Sequence, residues 1–178
     1  MEHKIVTRIN CPKEWESTND WDSHRPLLWL SICNTEGRVV EFGVGVGSTL
    51  LIDDFCKQLD RKFTAYETNI NWLNHLNFIK NKWHGELLFH KYNYKTIKDI
   101  YFGLFFVDSA PAEERKTLIN IHSNNAKVIV VHDVEPSAEY VYGMSDILST
   151  FKYRLDYQPE GKPHTTVVSN FIDVTQWV

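Results

Sequence analysis

The sequence lacks several features that would each have named a class of protein. No apolar run approaches the roughly 20 residues that a membrane-spanning helix requires. The opening residues, Met1-Glu2-His3-Lys4-Ile5-Val6-Thr7-Arg8, have no apolar core of the signal-peptide kind, so the expected compartment is the cytoplasm. Cysteine is scarce: Cys11, Cys33 and Cys56 are an odd number without CxxC or Cys/His ligand spacing. They read as reduced, partly buried thiols rather than a disulfide framework or a thiolate metal site. There is no basic run, and 19 Lys and Arg against 23 Asp and Glu give a formal charge of −4. A phosphate-backbone binder needs the opposite balance, so nucleic acid is not an expected partner. No internal repeat, low-complexity tract or linker divides the chain.

What is present is the composition of a soluble globular protein, 43% hydrophobic and 24% charged over 178 residues. One domain spanning 1–178 is the simplest organisation, with residues 1–38 as an N-terminal cap and 39–178 as the core. Residues 39–43 form a short apolar run ending at glycine, as a buried strand does, and 48–60 switch to helical spacing. Further strands are expected at 62–67, 86–91, 103–108 and 127–131. Trp72, Leu73, Leu76, Ile79 and Trp83 mark a helix after the second strand. Another helix starts near Pro111, where Glu113 and Glu114 suit its positive first turn. Helices are also expected at 26–33 and 138–150, and strands at 153–158 and 165–174 flank the turn-rich Pro159-Glu160-Gly161-Lys162-Pro163. Strands alternating with helices of about 12 residues imply βαβ units and a parallel sheet covered on both faces. The final pair of strands reads as an antiparallel hairpin at the sheet edge.

The strongest local signal is Glu41-Phe42-Gly43-Val44-Gly45-Val46-Gly47-Ser48-Thr49, between a strand and a helix. Glycines let such a turn fold tightly and approach a ligand, and the helix start offers free N–H groups. A dinucleotide fingerprint needs its third glycine three residues after the second. Ser48 stands there, and the third glycine is Gly47. The spacing ExGxGxG instead resembles motif I of the class I S-adenosylmethionine-dependent methyltransferases. Two further features extend the resemblance. Glu67, 24 residues after Gly43, resembles the acid that accepts hydrogen bonds from the cofactor ribose, with Thr68 beside it. Val107-Asp108-Ser109-Ala110-Pro111 resembles motif IV, beside the transferred methyl group.

The resemblance covers roughly residues 26–174. It implies an α/β, Rossmann-like three-layer sandwich with a mostly parallel seven-stranded sheet. Counted from the strand at 39–43, the implied order is 3-2-1-4-5-7-6. It implies S-adenosylmethionine as cofactor, held by Glu41, Gly43, Gly45, Gly47, Ser48, Thr49, Glu67, Thr68 and Asp108, with Asn93 at the adenine edge.

Ligands of such sheets bind beyond the carboxyl ends of the strands, where Asp108, His132 and Asp133 gather. His132 is the best candidate base, because its intrinsic pKa lies near neutrality, and Asp133 or Asp108 can orient it. His24, Arg25 and Arg115 are candidates to hold an anionic substrate group. Catechol-type O-methyltransferases place Asp at the ends of strands four and five, followed directly by Asn. Val134 stands at that third position here, and no metal is assigned. The expected activity is methyl transfer to a small-molecule hydroxyl, with a cofactor-binding regulatory or scaffolding protein as the alternative. No inserted substrate domain is visible, so acceptor contacts fall to terminal segments, loops or a second subunit of a homo-oligomer.

Overall fold

Residues Phe102–Val107 show why the sheet is buried on both faces. Leu104 and Phe106 enter one apolar layer, Phe105 and Val107 the other, as the two-residue period of a strand dictates. The computed structural model describes residues 1–76 and 101–178, with residues 86–89, 112 and 113 described by their backbone alone. In chain order the elements are β1 (Glu2–Val6), α1 (Arg25–Cys33), β2 (Val39–Phe42), α2 (Thr49–Gln58), β3 (Phe63–Glu67), α3 (Ile70–His75) and β4 (Glu86–Phe89). They continue as β5 (Phe102–Val107), α4 (Ala112–His122), β6 (Ala126–His132), α5 (Glu139–Tyr142), α6 (Ser145–Leu148), β7 (Tyr153–Tyr157) and β8 (Thr165–Ser169).

The strands form one sheet in the order β1-β7-β8-β6-β5-β2-β3-β4. Only β8 runs antiparallel to its neighbours, β6 and β7. The seven expected strands therefore lie in the expected order. Leu27, Leu28 and Ile32 of α1 and Ile52 and Cys56 of α2 pack on one face. Leu118 and Ile119 of α4 and Leu148 of α6 cover the other. Among the described residues, no helix is long and apolar enough to cross a membrane.

Three details differ from the sequence reading. An eighth strand, β1, pairs with β7, so the hairpin β7–β8 is inside the sheet edge rather than at it. Its side chains are mostly exposed, which leaves no alternation to read; backbone pairing and the His3 Nε2 to Asp156 Oδ2 contact at 2.9 Å hold it. The helix expected over 138–150 is two short pieces. Gly143 adopts φ +57° between them, ending α5 in the left-handed conformation. The strand expected to 174 stops at Ser169, whose Oγ accepts the N–H groups of Phe171 and Ile172 and turns the chain away. The helix expected to reach Trp83 is described only as α3, and its remainder lies outside the described residues.

Candidate active site

The sheet register assembles the site. Phe42 is level with Tyr66 on β3 and with Val107 on β5, and Val107 is level with Val131 on β6. Gly43, Glu67, Asp108 and His132 consequently share one edge, at the carboxyl ends of four parallel strands. Strand β2 belongs to sequence that alternates: Val39 faces the α1/α2 layer and Val40 and Phe42 the opposite one. Glu41 thus faces the start of α2, where it is fully buried and accepts hydrogen bonds from Ser48 Oγ and from Thr49 Oγ1 (2.7 Å). Thr49 Oγ1 also accepts the Gly45 N–H at 2.9 Å. Burial pushes the Glu41 carboxyl up to about 8 despite the two hydroxyl donors. Ser48 stands at the N-cap of α2, but its hydroxyl serves Glu41 rather than the helix amides.

The three glycines do different things. Gly43 has φ +93°, and a Cβ there would lie 2.2 Å from the Asp108 carbonyl oxygen. A Cβ on Gly47 would meet the Trp21 carbonyl oxygen at 2.5 Å. On Gly45 it would meet nothing nearer than 3.8 Å. Gly43 and Gly47 are thus filled by the protein's own backbone, and Gly45 is the position with room beside it. Glu67, 6% exposed, accepts the amides of Thr68 (2.8 Å) and Asn69 (2.7 Å) on Oε1 and that of Val44 (3.1 Å) on Oε2. A carboxylate offers about four lone-pair sites, and among the described residues one position on Oε2 has no donor. Thr68 Oγ1 donates to the Ala110 carbonyl at 3.2 Å, bridging the ends of β3 and β5. Asn69 caps α3, its Oδ1 accepting the amides of Asn71 and Trp72. Asn93 lies outside the described residues.

Beside the turn lies a charged cluster centred on Arg115, which is only 4% exposed. Its guanidinium donates to Asp108 Oδ1 (3.0 Å), Asp133 Oδ2 (3.3 Å), the His132 carbonyl (3.1 Å) and the Ser109 carbonyl (2.7 Å). It also sits 4.3 Å over the Tyr142 ring. His132 Nδ1 is 3.4 Å from both Asp108 Oδ2 and Asp133 Oδ1, and its Nε2 is 2.8 Å from Ser23 Oγ. Burial opposes the charge on Asp108, but His132 and Arg115 together outweigh it and draw its pKa to about 2. For His132, desolvation favours the neutral ring, yet the two carboxylates raise its pKa above the ordinary value. His24, 1% exposed, lies with its ring 4.8 Å from that of His132 and 5.0 Å from Phe106. Burial, with His132 alongside, lowers its pKa to about 3.

The structure brings together nearly all of the expected residues, but it gives several of them internal work. His24 and Arg115 are buried, and Arg25 is committed to the Gly47 carbonyl (2.7 Å) and to Asp22 (3.0 Å). These three therefore hold the site's walls rather than projecting as free anion ligands. His132 is likewise covered, by Ser23. The side chains of Asp108 and Asp133 keep 25% and 23% of their surface and are the open members of the cluster. Ser23, Trp72 and Tyr142 were not singled out by sequence reasoning as site residues. Trp72 has its indole N–H on the Val44 carbonyl at 2.7 Å, and Tyr142 donates to Asp133 Oδ2 at 3.4 Å. Ser23 immediately precedes the candidate residues His24 and Arg25; Tyr142 and Trp72 carried no local signal beyond aromatic helix positions.

No protein-family model matches the chain. No curated protein matches it in sequence. Solved structures do match in fold. A candidate caffeoyl-CoA O-methyltransferase from Staphylococcus aureus superposes with TM-score 0.56 at 11% identity, covering 88% of this chain and 86% of that one. The human methyltransferase 10 domain containing protein gives 0.55 at 10%, covering 93% and 89%. The Pyrococcus abyssi tRNA (uracil-54, C5)-methyltransferase, solved with S-adenosyl-L-homocysteine, gives 0.53 at 15%, covering 88% of this chain and 40% of that one. With its sheet order, its glycine turn after β2 and its helices on both faces, the chain has the Rossmann-like fold of the class I S-adenosylmethionine-dependent methyltransferases.

Proposed function

We propose that this chain is an S-adenosylmethionine-dependent methyltransferase acting on a small molecule, with a hydroxyl as the acceptor group. One observation carries the reading: the Gly43–Gly47 turn, Glu67 and Asp108 meet at one sheet edge, where the Glu67 carboxylate has an acceptor position that no donor among the described residues fills. The residues fit the cofactor in that respect and in the space beside Gly45. Glu67 would take the ribose hydroxyls, the turn amides and Thr68 would line the amino-acid end, and Asn93 is assigned to the adenine edge. Glu41, Ser48 and Thr49 set the shape of the turn from beneath. When bound, S-adenosylmethionine supplies a methyl group on a sulfonium sulfur.

The acceptor side is assigned to the carboxylates. Asp108 and Asp133 are partly open, and Arg115 and Tyr142 fix their orientation. His132 stands behind them; it tunes their charge, and reaching it directly would require displacing Ser23. The negative net charge and the lack of a basic run support a small molecule over nucleic acid. Calorimetric titration with S-adenosylmethionine and S-adenosylhomocysteine tests the reading. Micromolar binding by wild type, weakened about tenfold or more (roughly 1.4 kcal/mol) in Glu67→Ala, is expected. An acceptor screen that includes RNA as well as hydroxylated metabolites then follows. Binding without any product across that panel would favour a regulatory protein, and no binding at all would remove the cofactor assignment.

A further inference from the structure

We propose that His24, Asp108 and His132 form a binding site for one divalent transition-metal ion of the zinc type. The inference goes beyond the methyltransferase reading and does not depend on cofactor binding. One donor atom from each of the three residues lies within 4.8 Å of the others, two of them imidazole nitrogens and one a carboxylate oxygen. That donor set suits zinc, cobalt or iron rather than magnesium, which prefers oxygen throughout. It also differs from the two-carboxylate arrangement that Val134 interrupts, because nitrogen replaces the missing oxygen.

His24 supplies the independent observation. It is 1% exposed, and neither ring nitrogen has a hydrogen-bond partner among the described residues. A buried imidazole with both nitrogens unsatisfied is costly, and its close neighbours, the rings of Phe106 and His132, offer it no hydrogen bond. An ion between His24 and His132 takes up one of the two nitrogens as a ligand. The separation of His132 Nδ1 from Asp108 Oδ2, 3.4 Å, is long for an N–H···O bond. It is, however, the edge between two ligands on one tetrahedral ion at about 2.0–2.1 Å from each.

The surroundings agree. With Nδ1 facing the ion, His132 Nε2 donates to Ser23 Oγ at 2.8 Å, the outward hydrogen bond that metal-ligating histidines make. Arg115 occupies Asp108 Oδ1 and leaves Oδ2 facing His132. Asp108 and Asp133 carry two negative charges against one on Arg115, so a cation is not repelled by the cluster as a whole. Finally, His24 is held in place by its neighbours: Arg25 is bonded to Asp22 and to the Gly47 carbonyl.

The test uses the full chain, stripped with chelator and titrated with Zn²⁺ alone and with Co²⁺ alone. One equivalent of Zn²⁺ is expected to bind, and Co²⁺ is expected to give a visible d–d absorption band of tetrahedral intensity. Ser23→Ala is expected to weaken Zn²⁺ by about tenfold, and His24→Ala and His132→Ala by more. Glu67→Ala is expected to bind Zn²⁺ as wild type does, which separates this site from the cofactor assignment. Circular dichroism checks that each variant folds, with His24→Gln as the replacement should His24→Ala not. Zn²⁺ bound equally by a folded His24 variant overturns the proposal. So does a wild-type chain with no saturable Zn²⁺ and no Co²⁺ band, whatever the variants do.

Discussion

Gly43, Gly45 and Gly47 look interchangeable in the sequence, yet the space around each predicts three different outcomes for the same substitution. Gly45→Ala is expected to stay within about 1 kcal/mol of wild type, because its added methyl meets only ordinary contacts. Gly47→Ala forces the methyl onto the Trp21 carbonyl and is expected to cost about 1–3 kcal/mol. Gly43→Ala combines a left-handed backbone with a clash against Asp108 and should be the worst of the three. Denaturant midpoints measured on the series check the ranking, and equal costs at all three positions would refute it. Glu41 gives a prediction in pH. Its carboxyl titrates at about 8 in the fold against an ordinary 4.5, so between those values the folded state holds a proton the unfolded state has lost. Stability contributed by this group is fully present below 4.5 and falls as pH rises towards 8, by up to about 1.4 kcal/mol per pH unit. Glu41→Gln, which cannot ionise, is expected to flatten that decline in melts run across the window. Arg115→Met should cost about 3 kcal/mol or more at neutral pH, since it strands Asp108 and Asp133 without their shared cation. Replacement by Lys restores little, because one ammonium cannot span four acceptors in the fixed plane of a guanidinium.

Strand β1 illustrates how an element can form without a sequence signal of its own. It contributes backbone hydrogen bonds to β7, with Glu2 N–H on the Lys152 carbonyl and Gln158 N–H on the Val6 carbonyl, both at 2.8 Å. Removing residues 1–8 leaves the β7 edge unpaired and exposed to other chains. Such a truncation is expected to melt at a lower temperature and to scatter light at concentrations where the full chain stays clear, while Glu67 and the glycine turn are untouched. Unchanged melting and scattering would mean that β1 contributes nothing. The elements that carry the site were legible for a different reason. Their apolar runs, such as Phe102–Val107, are long, buried on both faces and punctuated by glycine or proline, so local pattern and global burial agree. The region from 138 to 150 was less legible, because helical spacing continues through Gly143 while the backbone does not.

At the scale of the whole molecule, the proposed cofactor site joins β2, β3 and β5, so ligand binding should be felt by the entire sheet. At a hundredfold excess over its dissociation constant, S-adenosylmethionine is expected to add about 2.7 kcal/mol, a rise of roughly 5–10 °C in melting temperature for a chain of this size. Scanning calorimetry with and without ligand reads this directly, and a shift below about 1 °C at that excess contradicts it. The strands, the helices and the turn that places Gly43, Glu67, Asp108 and His132 at strand ends followed from the two-residue and 3.6-residue periods and the glycine spacing, which are local properties, whereas the order of the strands was what the resemblance to the class I methyltransferases implied. Side-chain partners were not local. That Glu41 props the turn from below, that Arg115 is shared between two aspartates, and that His24 is buried against His132 depend on register and on how residues 20–25 pack across β2, β5 and β6. The sequence determined which residues stand at the carboxyl ends of the parallel strands, the edge proposed here to hold the cofactor. Only the tertiary structure decided which of its charged groups face one another and which face solvent, because those contacts join residues up to 109 positions apart and no local pattern encodes them.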